Sequence, residues 1–268
     1  MNVPVEIYKP RNPIRVVTAT ALFDGHDAAI NIMRRIIQDT GVEVIHLGHN
    51  RSVQEIVDAA IEEDVQGVAV SSYQGGHIEF FKYLVDLLRE RGAPHVKVFG
   101  GGGGVIVPEE IRELEAYGVA KIYSPEDGAR MGLQGMINHL VTTLDFSTVA
   151  DFNFSLDGLA PENKRLVANL ISAAEMAKAH QNGHLAKLRA EFARRIGSRK
   201  VPVIGITGTG GAGKSSLTDE LIVRILHDLK QVHVAVLSCD PSRRKTGGAL
   251  LGDRIRMNAI GNPRVFMR

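Results

Sequence analysis

Alternation of short apolar runs with amphipathic helical segments over the first 145 residues is the feature that most constrains the fold. Each run rich in valine and isoleucine is followed by a segment with helical periodicity. The predicted strands are 15–20, 42–47, 67–72, 96–100 and 120–124, and the predicted helices lie near 27–39, 52–63, 77–91, 107–117 and 126–143. Strands that alternate with helices form a parallel sheet with right-handed crossovers. The sequence therefore predicts an α/β fold with a flavodoxin-like, doubly wound parallel sheet over residues 11–145.

The character of the chain changes twice after this region. Residues 146–200 begin irregularly and continue into two amphipathic helices rich in Ala, Lys and Arg. This pattern predicts a helical linker, with a nucleic-acid-binding basic face as the alternative. Residues 201–268 follow the order strand, glycine loop, helix, strand. They predict the N-terminal part of a P-loop α/β domain that is truncated at Arg268.

The overall composition argues against two classes of partner. The net charge is only +2, tryptophan is absent and aromatic residues make up 5% of the chain, which disfavours nucleic-acid binding. No apolar run approaches the roughly 20 residues that span a bilayer, and the N-terminus lacks a signal-peptide core. The single cysteine, Cys239, excludes an intrachain disulfide framework. We therefore expect a cytoplasmic protein without a membrane partner.

The segment GTGGAGKS, residues 208–215, matches the phosphate-binding loop G-x-x-x-x-G-K-[ST] between a predicted strand and a predicted helix. Glycines allow successive backbone N–H groups to converge on phosphate oxygens at a helix N-terminus. Lys214 supplies a positive charge to the β- and γ-phosphates, as the predicted catalytic residue, and Ser215 offers its hydroxyl to Mg²⁺. The predicted nucleotide-binding residues of this loop are Gly208, Gly211, Ala212, Gly213, Lys214, Ser215 and Ser216.

Two aspartates downstream of the loop are candidate Mg²⁺ ligands. Asp240 ends the next predicted strand, and Asp253 follows a glycine-containing run. Each is otherwise explained as a helix cap or a surface charge. The residues present do not distinguish guanine from adenine, because the chain contains no N-K-x-D segment after the loop.

A histidine, His26, lies where the first predicted strand passes into the first helix. Asp24 can accept a hydrogen bond from the ring nitrogen that is not used for binding, which fixes the tautomer and raises ligand basicity. Ser71 and the five glycines 100–104 end two other strands at the same edge of the sheet. A histidine in such a loop is often only a solvated or capping residue. One histidine with a carboxylate behind it and a glycine floor fits a single axial bond to a metal that a macrocycle already holds.

These residues resemble the motif of cobalamin-binding domains in mutases and methionine synthase: D-x-H-x-x-G, about 41 residues, S-x-L, about 26–28 residues, then G-G. Here Asp24-Gly25-His26 is followed, after residues 30–70 (a count of 41), by Ser71-Ser72-Tyr73. Residues 74–99 (a count of 26) then precede Gly100-Gly101. Ala29 replaces the last glycine of the first motif and Tyr73 replaces the leucine.

The cobalamin-domain resemblance implies a role for each of these residues. His26 would be the lower axial ligand of cobalt, displacing the cofactor's own dimethylbenzimidazole, and Asp24 would hydrogen-bond to it. The slot for the displaced nucleotide tail would be lined by Ser71, Gly100, Gly101 and Gly102.

The second half resembles the MeaB-type G-protein chaperones of B12-dependent mutases. Their D-P-S segment and G-G-x-x-L-G-D-(R/K)-x-R-M segment are matched between Asp240 and Met257. The resemblance implies that GTP is the nucleotide, that Ser215, Asp240 and Asp253 hold Mg²⁺, and that Arg256 lies near the nucleotide.

The order of the two halves resembles the fused isobutyryl-CoA mutase family. That resemblance implies an adenosylcobalamin-dependent isomerase that interconverts isobutyryl-CoA and n-butyryl-CoA by radical rearrangement, with GTP hydrolysis gating cofactor loading. It also implies a homodimer, and an acyl-CoA substrate bound by a C-terminal barrel that this chain lacks.

Three other functions remain open from the residues. A stand-alone cobalamin carrier and GTPase chaperone, or a protein related to methylmalonyl-CoA mutase, would act on a separate mutase. A methyltransferase module shares the cobalamin motif, although the chaperone-like GTPase argues against it. A signalling protein, with a receiver domain joined to a P-loop ATPase, is disfavoured because Ser71 and residues 123–125 occupy the places of the acceptor aspartate and the lysine.

Overall fold

The computed structural model describes residues 5–152, 155–179, 184–239 and 248–268. The chain divides into two compact units, Met1–Ser147 with Cys239–Ile255, and Thr148–Ser238 with Arg256–Arg268. The boundary after Ser147 lies close to the predicted boundary at 145. No boundary lies at 200, because the predicted linker segment belongs to the same unit as the glycine loop and the helix that follows it. Asp240 lies outside the described residues.

Eight strands and eight helices occur in the described part of the chain. The strands are β1 Arg15–Thr20, β2 Glu43–His46, β3 Gly67–Ser71, β4 Lys97–Gly101, β5 Lys121–Tyr123, β6 Val234–Val236, β7 Ala249–Leu251 and β8 Val265–Met267. The helices are α1 Ala28–Asp39, α2 Val53–Glu62, α3 His77–Glu90, α4 Pro108–Tyr117, α5 Pro125–Thr143, α6 Lys164–Ala179, α7 His184–Ile196 and α8 Lys214–Asp228. The five strands and five helices predicted before residue 145 are all present, and no end is shifted by more than one residue.

The first unit is built on a parallel sheet with the order β5-β4-β3-β1-β2-β7. The first five strands have the order of a flavodoxin-like fold, so the predicted fold class is confirmed. All six residues of β1 are buried, as expected for a central strand covered on both faces. One face packs against α2, α3 and α4, and the other against α1 and α5.

Local signals explain where the helices of this unit begin and end. Ser52 caps α2 by accepting from the backbone N–H of Glu55, whose carboxylate accepts in return from the amide of Ser52. Proline is the first residue of α4, and Gly118 ends that helix with a φ of 128°. These caps fix the helix ends and therefore the short loops at the edge of the sheet.

The second unit contains α6, α7, the glycine loop, α8 and the parallel pair β6–β8. Its small core joins α8 to β8 and the preceding turn through Ile222, Leu226 and Val265. The strand predicted at 201–207 is not formed, and Val203 is 92% exposed. A strand needs a hydrogen-bonded neighbour, and within the described residues this segment pairs with none.

Strand β7 belongs to the first unit, although its sequence was assigned to the P-loop domain. It pairs in parallel with β2, and three residues later Arg254 is buried against α2. The Arg254 guanidinium donates to Glu63 at 2.9 Å and to Glu62 at 3.0 Å. Replacing one partner of a buried ion pair destabilises the fold, because the remaining charge is left buried and uncompensated.

Glycine at position 100 is required by packing inside this unit. A Cβ there would come within 2.4 Å of Cζ of Phe81 and 2.6 Å of Cδ1 of Ile122, whereas a Cβ at Gly104 would meet nothing within 4 Å. We expect Gly100→Ala to lower the free energy of unfolding by about 1–3 kcal/mol and Gly104→Ala to change it little. Urea denaturation of both variants measures the difference. Equal midpoints for the two variants would contradict this packing.

Candidate functional site

The carboxyl edge of the parallel sheet brings the residues of the first predicted site together. The sheet register pairs Thr20 with Ser71 and Ser71 with Gly101, so the ends of β1, β3 and β4 are adjacent. Asp24 and His26 follow β1 directly in the loop before α1. This is the edge at which doubly wound sheets bind ligands.

The Asp24 carboxylate is the centre of the hydrogen bonding at this edge. Its side chain is fully buried. One oxygen, Oδ1, lies 2.8 Å from Nδ1 of His26 and accepts from the His26 backbone N–H at 2.9 Å. The other oxygen, Oδ2, accepts from the backbone N–H of Tyr73. One carboxylate therefore holds the loop after β1 to the loop after β3.

These hydrogen bonds keep Asp24 ionised in spite of its burial. Burial by itself raises the pKa of the carboxyl group, but the backbone N–H groups of Tyr73 and His26 and the His26 ring outweigh it and hold the pKa below its ordinary value. An ionised acceptor at Nδ1 selects the tautomer in which that nitrogen carries the proton. The lone pair of the imidazole is then on Nε2.

The His26 ring projects from the fold, since its side chain is 73% exposed. Within the part of the chain that the structure describes, Nε2 has no hydrogen-bond partner. The Tyr73 ring lies beside the imidazole, with 5.7 Å between ring centroids. An oriented imidazole with an open Nε2 is suited to bind one metal coordination position.

Two buried hydroxyls lie next to each other at the ends of the central strands. The Oγ atom of Ser71 and the Oγ1 atom of Thr20 are buried and have no hydrogen-bond partner among the described residues. Unpartnered buried hydroxyls are uncommon and indicate a missing ligand group or water. The sequence motif identified Ser71 only. The strand register would have identified Thr20, because it is the last residue of β1 and lies opposite Ser71.

The predicted glycine floor contains two kinds of glycine. Gly100 and Gly102 are buried against the protein itself, and a Cβ at Gly102 would meet the Ser72 carbonyl oxygen at 2.0 Å. Gly101 has more room, with its nearest neighbour, the Tyr123 carbonyl oxygen, at 3.5 Å. Packing therefore explains the absence of side chains at 100 and 102, and their contact with a ligand stays a prediction.

The glycine loop of the second unit precedes α8, as its motif predicts. Gly211 and Gly213 have φ values of 79°, a conformation that favours glycine. Lys214 begins α8, and its ammonium group donates to the carbonyl oxygens of Gly208 at 2.9 Å and Thr209 at 2.8 Å. Ala212 is in the loop, and Ser215 and Ser216 follow in the first helical turn. The loop is largely exposed.

The remaining predicted Mg²⁺ and nucleotide residues are not in one unit. Asp253 lies in the first unit at the start of a short 3₁₀ turn, whereas the exposed Arg256 belongs to the second unit with Lys214. No group of three His, Cys, Asp or Glu residues in the described ranges is arranged to hold a metal ion. In the same ranges, every helix is too short or too polar to cross a bilayer.

Comparison with protein-family models identifies both halves of the chain. Residues 14–133 match the B12 binding domain, and residues 167–268 match the methylmalonyl-CoA mutase-associated GTPase MeaB. The first match favours cobalamin over the receiver-domain alternative. The second begins inside the segment that was predicted to be a linker and includes α7 and most of α6.

Curated relatives cover almost the whole chain. A fused isobutyryl-CoA mutase of Geobacillus kaustophilus is 59% identical over 98% of this chain and 24% of its own length. One from Cupriavidus metallidurans is 61% identical over 97% of this chain and 23% of its own length. The chain thus spans about a quarter of the length of these relatives.

A shorter relative is matched over most of its own length. The 2-hydroxyisobutanoyl-CoA mutase small subunit of Aquincola tertiaricarbonis is 36% identical over 42% of this chain and 81% of its own length. Together with the two domain matches and their order, these relatives show that the chain belongs to the fused isobutyryl-CoA mutase family, of which it carries the B12-binding domain and a MeaB-type GTPase segment.

Proposed function

We propose that the first unit binds adenosylcobalamin through a bond from Nε2 of His26 to cobalt. The observation that carries this proposal is the buried carboxylate of Asp24, which accepts from Nδ1 of His26 and leaves Nε2 open to solvent. The two unpartnered hydroxyls of Ser71 and Thr20 fit a ligand that brings polar groups to the ends of β1 and β3. Ser71, Gly100, Gly101 and Gly102 are proposed to line the slot for the displaced nucleotide tail.

The residues of the chain act on the cofactor by orientation and charge. Asp24 holds the imidazole in one tautomer and, being ionised, strengthens it as a donor to cobalt. Because Asp24 also binds the amide of Tyr73, the imidazole is fixed relative to the loop that follows β3. When bound, the cofactor supplies radical chemistry by homolysis of its cobalt–carbon bond.

The second unit is proposed to bind GTP with Mg²⁺. The loop 208–215 begins α8, so its backbone N–H groups and the helix N-terminus favour phosphate. Lys214 would exchange its bonds to the loop carbonyls for bonds to phosphate oxygens, and Ser215 would bind Mg²⁺. Asp240 and Asp253 remain proposed Mg²⁺ ligands, and Arg256 remains a proposed nucleotide contact.

The activity proposed for the full-length protein follows from the relatives. Their name indicates an isomerase that acts on isobutyryl-CoA, and we propose conversion to n-butyryl-CoA with GTP hydrolysis gating cofactor loading. We propose that the acyl-CoA binds to a part of the full-length protein outside the quarter that this chain matches in its relatives. We further propose a homodimer that works in the cytoplasm, a compartment consistent with a single cysteine.

Electron paramagnetic resonance of bound cob(II)alamin tests the cobalt bond. With uniformly ¹⁵N-labelled protein and unlabelled cofactor, we expect each cobalt line to be split into a doublet, because the axial nitrogen comes from His26. Axial coordination by the cofactor's own base would give a triplet from ¹⁴N instead.

The matched variants for this experiment are His26→Ala and His49→Ala. His49 is an exposed histidine in the loop after β2, at the same edge of the sheet. We expect the doublet to disappear in His26→Ala and to persist in His49→Ala. A doublet that survives in His26→Ala would overturn the assignment.

Nucleotide binding is tested with Lys214→Ala and the control Lys230→Ala, which removes an exposed lysine beyond the end of α8. We expect Lys214→Ala to weaken binding of GTP in the presence of Mg²⁺ at least about tenfold, because it removes a charge-assisted contact to phosphate. Calorimetric titration measures both variants. Equal GTP affinity of Lys214→Ala and Lys230→Ala would remove Lys214 from the site.

A further inference from the structure

The loop between β1 and α1 contains a residue whose conformation and exposure are both unfavourable for folding. Phe23 has a φ of 62°, and 76% of it is exposed to solvent. It lies one residue before Asp24 and three before His26. The fold gains little from a phenyl ring at this position, since burial is what makes an aromatic side chain stabilising.

The left-handed backbone conformation at position 23 is energetically unfavourable for phenylalanine. Among the described non-glycine residues, the other two with positive φ are Asn50 and Asp64, which are types that tolerate it. A bulky residue in this region costs of order 1–3 kcal/mol, and such strain occurs preferentially at functional sites. Glycine or asparagine would form the same turn with less backbone strain.

The surrounding hydrogen bonds hold Phe23 in this conformation. The backbone N–H of Phe23 donates to Oδ1 of Asn50 at 2.7 Å, and the N–H of Asp24 donates to the carbonyl of Ala21 at 3.1 Å. The buried carboxylate of Asp24 then fixes the next residues of the loop. The turn therefore leaves the ring of Phe23 in solvent, three residues before the exposed imidazole of His26 in the same loop.

We propose that Phe23 is a second cobalamin-contacting residue, whose ring packs against the apolar face and methyl groups of the corrin when His26 binds cobalt. This inference rests on the proposed function of His26. A corrin macrocycle is a broad, largely apolar plane whose rim carries both methyl groups and amide chains. A ligand bound through Nε2 of His26 therefore extends its face over neighbouring exposed groups of the same loop. Burying a phenyl ring in that contact would supply the stabilisation that the free fold lacks.

The test separates the contribution of Phe23 to cofactor binding from its contribution to folding. Phe23→Asn and Phe23→Gly reduce the backbone strain of the turn, so we expect the free energy of unfolding to stay the same or rise. The same variants are expected to bind hydroxocobalamin about tenfold more weakly, as measured by absorbance titration. Phe23→Leu, which keeps apolar bulk, is expected to retain most of the affinity.

Tyr83→Asn is the matched control, because Tyr83 is an aromatic residue on α3 with 52% exposure and lies outside this loop. We expect its cobalamin affinity to equal that of the unmodified chain. If the Phe23 variants bind cobalamin with unchanged affinity while the ¹⁵N doublet of His26 is present, the inference on Phe23 is overturned and the proposed function stands. If the unmodified chain gives no doublet, the proposed function fails first.

Discussion

The candidate cofactor site depends on one buried carboxylate. Asp24 accepts hydrogen bonds from the Nδ1–H of His26 and from the backbone N–H groups of His26 and Tyr73. An ion buried in a protein is stable only when its acceptor positions are filled, and here the donors come from the two loops that flank the central strands. The same interaction that stabilises the charge therefore sets the direction in which the imidazole points.

The parallel sheet makes this arrangement possible because it places several strand ends at one edge. The loops after β1, β3 and β4 converge there without distortion of the strands, since β1 pairs with β3 and β3 with β4 in parallel register. Helices on both faces bury the strands, so a ligand meets the sheet at the strand ends rather than on its faces. The fold supplies position, and the residues Asp24, His26 and Ser71 supply chemistry.

Much of this arrangement could be predicted from sequence, for reasons that are local. The periodicity of apolar residues determines strands and helices, and Ser52 and Pro108 mark helix starts by their side-chain chemistry. Contacts that depend on register or on distant segments could not be read in this way. Thr20 opposite Ser71, the amide of Tyr73 on Asp24, and β7 beside β2 are of this kind. The prediction of a strand at 201–207 was wrong, because a strand forms only beside a hydrogen-bonded neighbouring strand, which a local sequence pattern does not reveal.

The protonation of the His26 ring before any cofactor is bound tests the central claim most directly. A long-range ¹H–¹⁵N correlation spectrum at about pH 8, where an ordinary imidazole is neutral, distinguishes the two tautomers by their nitrogen shifts. We expect the proton on Nδ1, with Nε2 unprotonated, and a loss of this preference in Asp24→Ala. A His26 ring that carries its proton on Nε2 in the unmodified chain would contradict it.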